Sequence, residues 1–264
     1  MSNPRKAATP AELVDVGLAD FANDNAALLD RKNFGMDGLD LLKAIPSNSV
    51  SLCFFDPQYD HLLAFMKYGN KERQKDRLAL KPMDHMNILE FGREIARVLK
   101  PSGHVGLWSD QFILCATHPE LIFGDPAADS ISADTVIAAD GSIIYKVGLC
   151  CWDKGRIGMG WTFRHQSEYL TMFQKHPKRI KGAWSRRDIP DIWREPDKGK
   201  IHPHAKPIGL QTAIIDATTK PGDLVLDPCA GGFGTMTAAH AIGRHFLGCE
   251  YLQENDPALN PHGR

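Results

Sequence analysis

Leu224-Val225-Leu226-Asp227-Pro228-Cys229-Ala230-Gly231-Gly232-Phe233-Gly234-Thr235 joins an apolar strand to a glycine-rich turn that opens into a helix. The helix is expected over about residues 235–242, and His245 to Cys249 follows as a second strand ending at Glu250. Strand, tight turn, helix and acid-terminated strand form a nucleoside-binding unit. Glycines let the backbone approach a ligand closely, and the acid accepts hydrogen bonds from ribose hydroxyls. Asp227 and Glu250 stand roughly twenty residues apart, the spacing that role requires. No Walker-type lysine follows the glycines, which argues against a triphosphate. The plainer alternative is a sharp turn in an α/β protein.

A second turn of similar form lies far upstream. Asp56-Pro57-Gln58-Tyr59 follows the apolar run Val50-Ser51-Leu52-Cys53-Phe54-Phe55. The exocyclic amine of adenine or cytosine is a poor nucleophile because its lone pair is delocalised into the ring. The Asp56 carboxylate and the Pro57 carbonyl are two acceptors for that amine, and they favour the positive charge that develops on nitrogen as it attacks. The Tyr59 ring can stack on the base and hold it in line. An Asp-Pro turn closing a strand is again the plain alternative.

Between these turns the pattern alternates strand and helix. Gly38 to Ala44 reads as a short helix, Val50 to Phe55 as a strand, and Met86 to Leu99 as a helix with one apolar side. His104 to Trp108, Ile143 to Trp152 and Glu168 to Phe173 read as strands, and Ile208 to Thr218 as a helix. Residues 112–140 carry no clear pattern, and 188–201 is polar. The alternation predicts an α/β fold with a mainly parallel sheet and helices on both faces. The expected organisation is an arm over 1–30, one domain over 31–255 and a tail over 256–264.

Bulk composition narrows the classes. A chain of 264 residues, 43% hydrophobic and 24% charged, suits one large globular domain. No apolar run reaches transmembrane length. The six cysteines show no C-x-x-C spacing, so reduced thiols in a cytoplasmic protein are expected and no metal site. A net charge of −1 argues against a protein that coats nucleic acid by charge alone. A local basic face is available at Lys175, Lys178, Arg179, Lys181, Arg186 and Arg187.

Taken in order, these motifs resemble the amino-methyltransferases of DNA bases, in the circularly permuted group whose catalytic strand precedes the cofactor strand. The resemblance runs from about Phe34 to Leu252. It includes Arg97-Val98-Leu99-Lys100-Pro101-Ser102-Gly103, the stretch Trp152 to Phe173 and His202-Pro203-His204-Ala205-Lys206-Pro207. It implies a Rossmann-like methyltransferase fold, S-adenosylmethionine as donor and a flipped base in DNA as acceptor. Carried over by position, Asp56, Pro57, Gln58 and Tyr59 form the catalytic loop. Asp227, Cys229, Ala230, Gly231, Gly232 and Gly234 flank the methionine moiety, and Glu250 takes the ribose. Asp37 contacts the adenine, and Lys206 lies near the cofactor carboxylate.

Two departures stand out. Gln58 replaces the second proline usual in the family, which frees φ and adds an N–H. Cys229 replaces the usual aromatic, and Phe233 is expected to supply that ring from a shifted position. Lys178, Arg179, Lys181, Trp184, Arg186 and Arg187 are expected to face DNA, with 60–82 and 175–200 as DNA-contacting insertions and a homodimer as a further possibility. Aspartate at position 56 favours adenine N6 over cytosine N4 as acceptor. The alternatives are an N4-cytosine enzyme, a silent DNA-binding relative, and an RNA or protein methylase.

Overall fold

The computed structural model describes residues 26–58, 83–110, 114, 122–123, 135–138, 140–158, 163–196 and 205–254. Tyr59, the segment 60–82, His202 to His204, the tail over 256–264 and the expected arm up to residue 25 lie outside them.

The elements in chain order are β1 (Asn33–Phe34), α1 (Gly38–Ala44), β2 (Val50–Phe55), α2 (His85–Val98), β3 (Leu99–Ser109), β4 (Thr135–Ile137) and β5 (Ile143–Asp153). After them come β6 (Ser167–Lys175), β7 (Ile192–Arg194), α3 (Ile208–Thr218), β8 (Leu224–Asp227), α4 (Gly234–Ala241) and β9 (His245–Glu250). One sheet joins the strands in the order β1-β9-β8-β2-β3-β6-β5-β4, with β7 on β5. Strands β1, β9, β8, β2 and β3 pair in parallel. Strand β6 is antiparallel to both β3 and β5, and β4 is antiparallel to β5.

Every residue of β2 is buried, which follows from cover on both faces. Cys53 and Phe55 point to a core with Leu41, Leu42, Phe91 and Ile95 of α1 and α2. Leu52 and Phe54 point the other way, to Leu210, Ile214 and Ile215 of α3 and Ala238 and Ala239 of α4. An all-apolar run without alternation is the sequence signature of such a central strand.

The strand order creates the site. From β2 the chain crosses through α2 to β3 on one side; from β8 it crosses through α4 to β9 on the other. Neighbouring strands whose crossovers leave in opposite directions open a crevice at their carboxyl ends. Asp56 and Asp227 stand at those two ends.

The antiparallel strand distributes the remaining charges. Because β6 runs against β3, its first residues, with Glu168, lie at the crevice end, and its last, with Lys175, lie at the opposite end. Strand β5 runs against β6, so Asp153 and Lys154 come back to the crevice. Strand β7, inside the stretch read as merely polar, pairs in parallel with β5. It delivers Glu195, whose carboxylate accepts from Gly209 N (3.0 Å) and Leu210 N (3.2 Å). Those are free donors at the start of α3, and Pro207 offers no side-chain cap there. Glu195 in turn is held by Trp193 Nε1 at 2.8 Å and, through its carbonyl, by Trp152 Nε1 at 2.8 Å. The entry to α3, with Lys206 just before it, is thereby fixed to the sheet.

Candidate active site

Asp37, Asp56, Gln58, Trp108, Lys206, Gln211, Glu250 and the turn 227–235 without Phe233 line one cleft of about 300 Å³. That is within the range of small-ligand sites, at its lower end.

The turn follows from β8. Gly231 and Phe233 take positive φ, +50° and +57°. Gly231 tolerates this for lack of a Cβ. Its N–H donates to Glu250 Oε2 at 2.9 Å, and Leu252 N donates to Oε1 at 3.0 Å. The acid ending β9 is therefore locked against the turn. Asp37 caps α1, accepting from Leu39 N at 2.8 Å. Gly38 lies so close to the turn that a Cβ would stand 2.1 Å from Pro228 O, so α1 and the turn form adjacent walls.

Phe233 does not supply the ring missing at Cys229. Its left-handed backbone turns it inward, 1% exposed, with its edge on Phe34 at 5.0 Å. It lies in the core beneath the turn, and Cys229 itself lines the cleft.

Asp227 is buried, and burial pushes its carboxyl up to about 7. Opposing this, Thr235 Oγ1 donates to its Oδ2 at 2.6 Å and Cys229 N to its Oδ1 at 3.1 Å.

Around Asp56 the structure shows a charge cluster whose membership no sequence spacing indicates. Lys206 Nζ stands 2.9 Å from Asp56 Oδ2 and 2.9 Å from Glu168 Oε2, and 5.4 Å over the Trp108 ring. Glu168 Oε1 is also paired with Lys154 Nζ. Burial raises the Asp56 carboxyl above its usual range, with Lys206 opposing. Burial pushes the Glu168 carboxyl up, yet Lys206 and Lys154 hold it down to about 2. Burial likewise disfavours the Lys206 ammonium, and Asp56 and Glu168 together hold it well above its ordinary value. Lys206, expected near a cofactor carboxylate, is engaged by two protein carboxylates.

The profile of the N6/N4 DNA methylases matches residues 50–255. The chain belongs to the N6/N4 DNA methylase family. It is 40% identical over 235 residues to the type II methyltransferase M.HhaII of Haemophilus parahaemolyticus, covering 88% of this chain and 96% of that one. It is 42% identical over 241 residues to the DNA adenine methyltransferase YhdJ of Escherichia coli strain K12, covering 83% and 77%. Two solved structures share the fold. The M1.HpyAVI complex with S-adenosylmethionine has a TM-score of 0.57 at 16% identity, covering 86% of this chain and 96% of that one. The cytosine-N4-specific PvuII DNA methyltransferase has 0.54 at 17%, covering 86% and 84%.

Within this N6/N4 methylase, the residues expected to act together divide into two groups. Asp37, Asp56, Gln58, Lys206, the turn and Glu250 converge on the cleft; Pro57 is buried just behind Asp56. The basic segment does not join them. Gln174 Nε2 donates to Arg179 O at 3.0 Å, and Ser185 N donates to Ala217 O at 2.7 Å, at the last turn of α3. Lys206 precedes the first turn, and α3 has 11 residues, about 16 Å of helix. Trp184 turns inward against His104, with ring centroids 5.9 Å apart. Arg186 is paired with Asp188 at 2.6 Å. Lys178, Arg179, Lys181 and Arg187 remain exposed. Glu168, Lys154, Trp108 and Gln211 are the site residues that motif reading missed. Glu168 carried one signal, an acid at the start of an otherwise apolar strand.

Proposed function

We propose that this DNA methyltransferase acts on the exocyclic N6 of adenine in a flipped base. The observation that carries the reading is a single cleft, at the switch point of the sheet, holding both the Asp56 carboxylate and the glycine turn locked to Glu250. The donor is S-adenosylmethionine, which when bound supplies an electrophilic methyl group on a sulfonium. The residues present fit it: Glu250 for ribose hydroxyls, Asp37 for the adenine edge, and the turn from Asp227 to Gly234 for the amino-acid end.

Asp56 and the Pro57 carbonyl accept the two amine hydrogens and draw density onto nitrogen. The Asp56 charge stabilises the ammonium character that appears as nitrogen attacks. No base is needed beforehand, since the amine proton becomes acidic only once the new bond forms. Trp108, against the Lys206 ammonium, gives the base pocket an aromatic wall. Two observations favour adenine: aspartate rather than serine at position 56, and the 42% identity to an adenine methyltransferase. The cytosine N4 amine is the second reading, since the same acceptors serve it.

The test is transfer of labelled methyl to unmethylated genomic DNA with nucleoside analysis. N6-methyladenine is expected. N4-methylcytosine alone would move the assignment to the second reading, and no label in DNA would overturn both.

Lys178, Arg179, Lys181 and Arg187 are read as phosphate contacts distant from the target base. Replacing all four by Ala should weaken DNA binding and flatten its log–log salt slope by about 3–4, leaving cofactor affinity unchanged. An unaltered slope would remove the segment from the interface.

A further inference from the structure

Gln211 lies in the first turn of α3, lines the cleft and is only 2% exposed. Its amide orientation follows from counting protons. With Asp227 ionised, as it is above about pH 7, the Thr235 hydroxyl donates its one proton to Oδ2 at 2.6 Å. Thr235 Oγ1 must therefore accept from its other neighbour, Gln211 Nε2, at 2.9 Å. That leaves Gln211 Oε1 as a buried acceptor with no partner among the described residues. It sits beside the glycine turn, 3.4 Å from where a Cβ on Gly234 would stand. An unpaired buried acceptor is costly, and a side chain fixed by a hydrogen-bonded chain cannot turn away to relieve it.

We infer that Gln211 is a cofactor-binding residue, its Oε1 accepting a hydrogen bond from the α-ammonium of the amino-acid end while Thr235 and Asp227 hold the amide in the accepting orientation. The inference rests on the proposed donor site and deepens it. With Glu250 and Asp37 at the nucleoside side of the cleft, the amino-acid end falls towards Asp227, Thr235 and Gln211. Of the ligand's groups at that end, the sulfonium and the carboxylate bring no donor. The ammonium brings three. A protonated Asp227 would reverse the chain: it would donate to Thr235, Thr235 to Gln211 Oε1, and the amide would present its NH2 instead. Charged and titratable groups facing Asp227 are Asp56 from the end of β2, Glu250 of β9 and the thiols of Cys53, Cys229 and Cys249. The thiols are held above their usual range by burial and stay neutral.

The experiment is calorimetric binding of S-adenosylhomocysteine and of its des-amino counterpart, with the same thioether and carboxylate but no ammonium, to wild type, Gln211→Leu and Gln211→Met. Both variants should lose about ten- to hundred-fold in affinity for S-adenosylhomocysteine, the range for a hydrogen bond to a charged group. Affinity for the des-amino ligand should stay within about two-fold. Equal losses for both ligands, or no loss for either, would overturn the inference. Wild type supplies a second readout that needs no variant. Its affinity for S-adenosylhomocysteine should strengthen as pH rises through about 7, where Asp227 ionises, and its affinity for the des-amino ligand should not. Parallel pH profiles would also overturn it. Failure of wild type to bind S-adenosylhomocysteine at all would instead overturn the donor site itself.

Discussion

Asp56→Ala is expected to reduce methyl transfer to DNA by about 10³-fold or more while leaving cofactor affinity intact. Removing one preorganised group aimed at developing charge costs about 10²–10³ in rate. Here a second effect adds to it. With Asp56 present, two carboxylates face Lys206 and Lys154. Without it, two cations face Glu168 alone, and the site carries net positive charge where nitrogen must itself become positive. Asp56→Asn keeps one acceptor oxygen but not the charge, so its rate should fall between alanine and wild type. Cofactor binding should survive because Asp56 acts on Asp227 only as a like charge that raises it; losing it favours the ionised form. Single-turnover transfer of labelled methyl, beside calorimetry with the cofactor, makes the check. An alanine variant retaining more than about a tenth of the wild-type rate would remove Asp56 from the chemistry.

The sequence disclosed the parts of this site that carry local signals. Strand β2, the turn after β8, α3 and the acid at Glu250 announce themselves by an apolar run, by glycines, by helical spacing and by position. Their convergence on one crevice follows from parallel pairing and crossover direction. What remained hidden depends on chain direction far away. That Glu168 reaches the Lys206 ammonium beside Asp56, and that the basic segment ends up at the other end of the sheet, are both consequences of β6 running antiparallel to β3. Charge alone marks the segment as basic and cannot say which end of the sheet it occupies. Strand β7 escaped for a similar reason: three residues in a polar stretch become a strand only because β5 offers its edge. Phe233 was read for its type, and its direction is set by a backbone angle that no pattern of residues reveals.

Lys206→Met and Glu168→Gln are expected to displace the pH profile of methyl transfer in opposite directions. In wild type, burial raises Asp56, the Lys206 ammonium lowers it, and the Glu168 charge raises it again. Transfer requires Asp56 ionised, so the rate falls as pH drops through its titration. Methionine at 206 removes the opposing cation. Glu168 keeps Lys154 and stays ionised, so the proton goes to Asp56, whose titration moves up. The pH at which the rate is half its plateau should rise by about one to two units, and the plateau should be recovered at higher pH. Glutamine at 168 does the reverse. Lys206 then has Asp56 as its one carboxylate partner in the cluster, the titration moves down, and the ammonium competes with the incoming amine for the same oxygen. That competition should raise KM for DNA and lower the alkaline plateau, which pH cannot restore. Glu168 thereby acts as a positioning residue, drawing the ammonium away from the oxygen the base must use. Profiles that shift together, or that superpose on wild type after rates are normalised, would show that the cluster supports the fold and leaves Asp56 untouched.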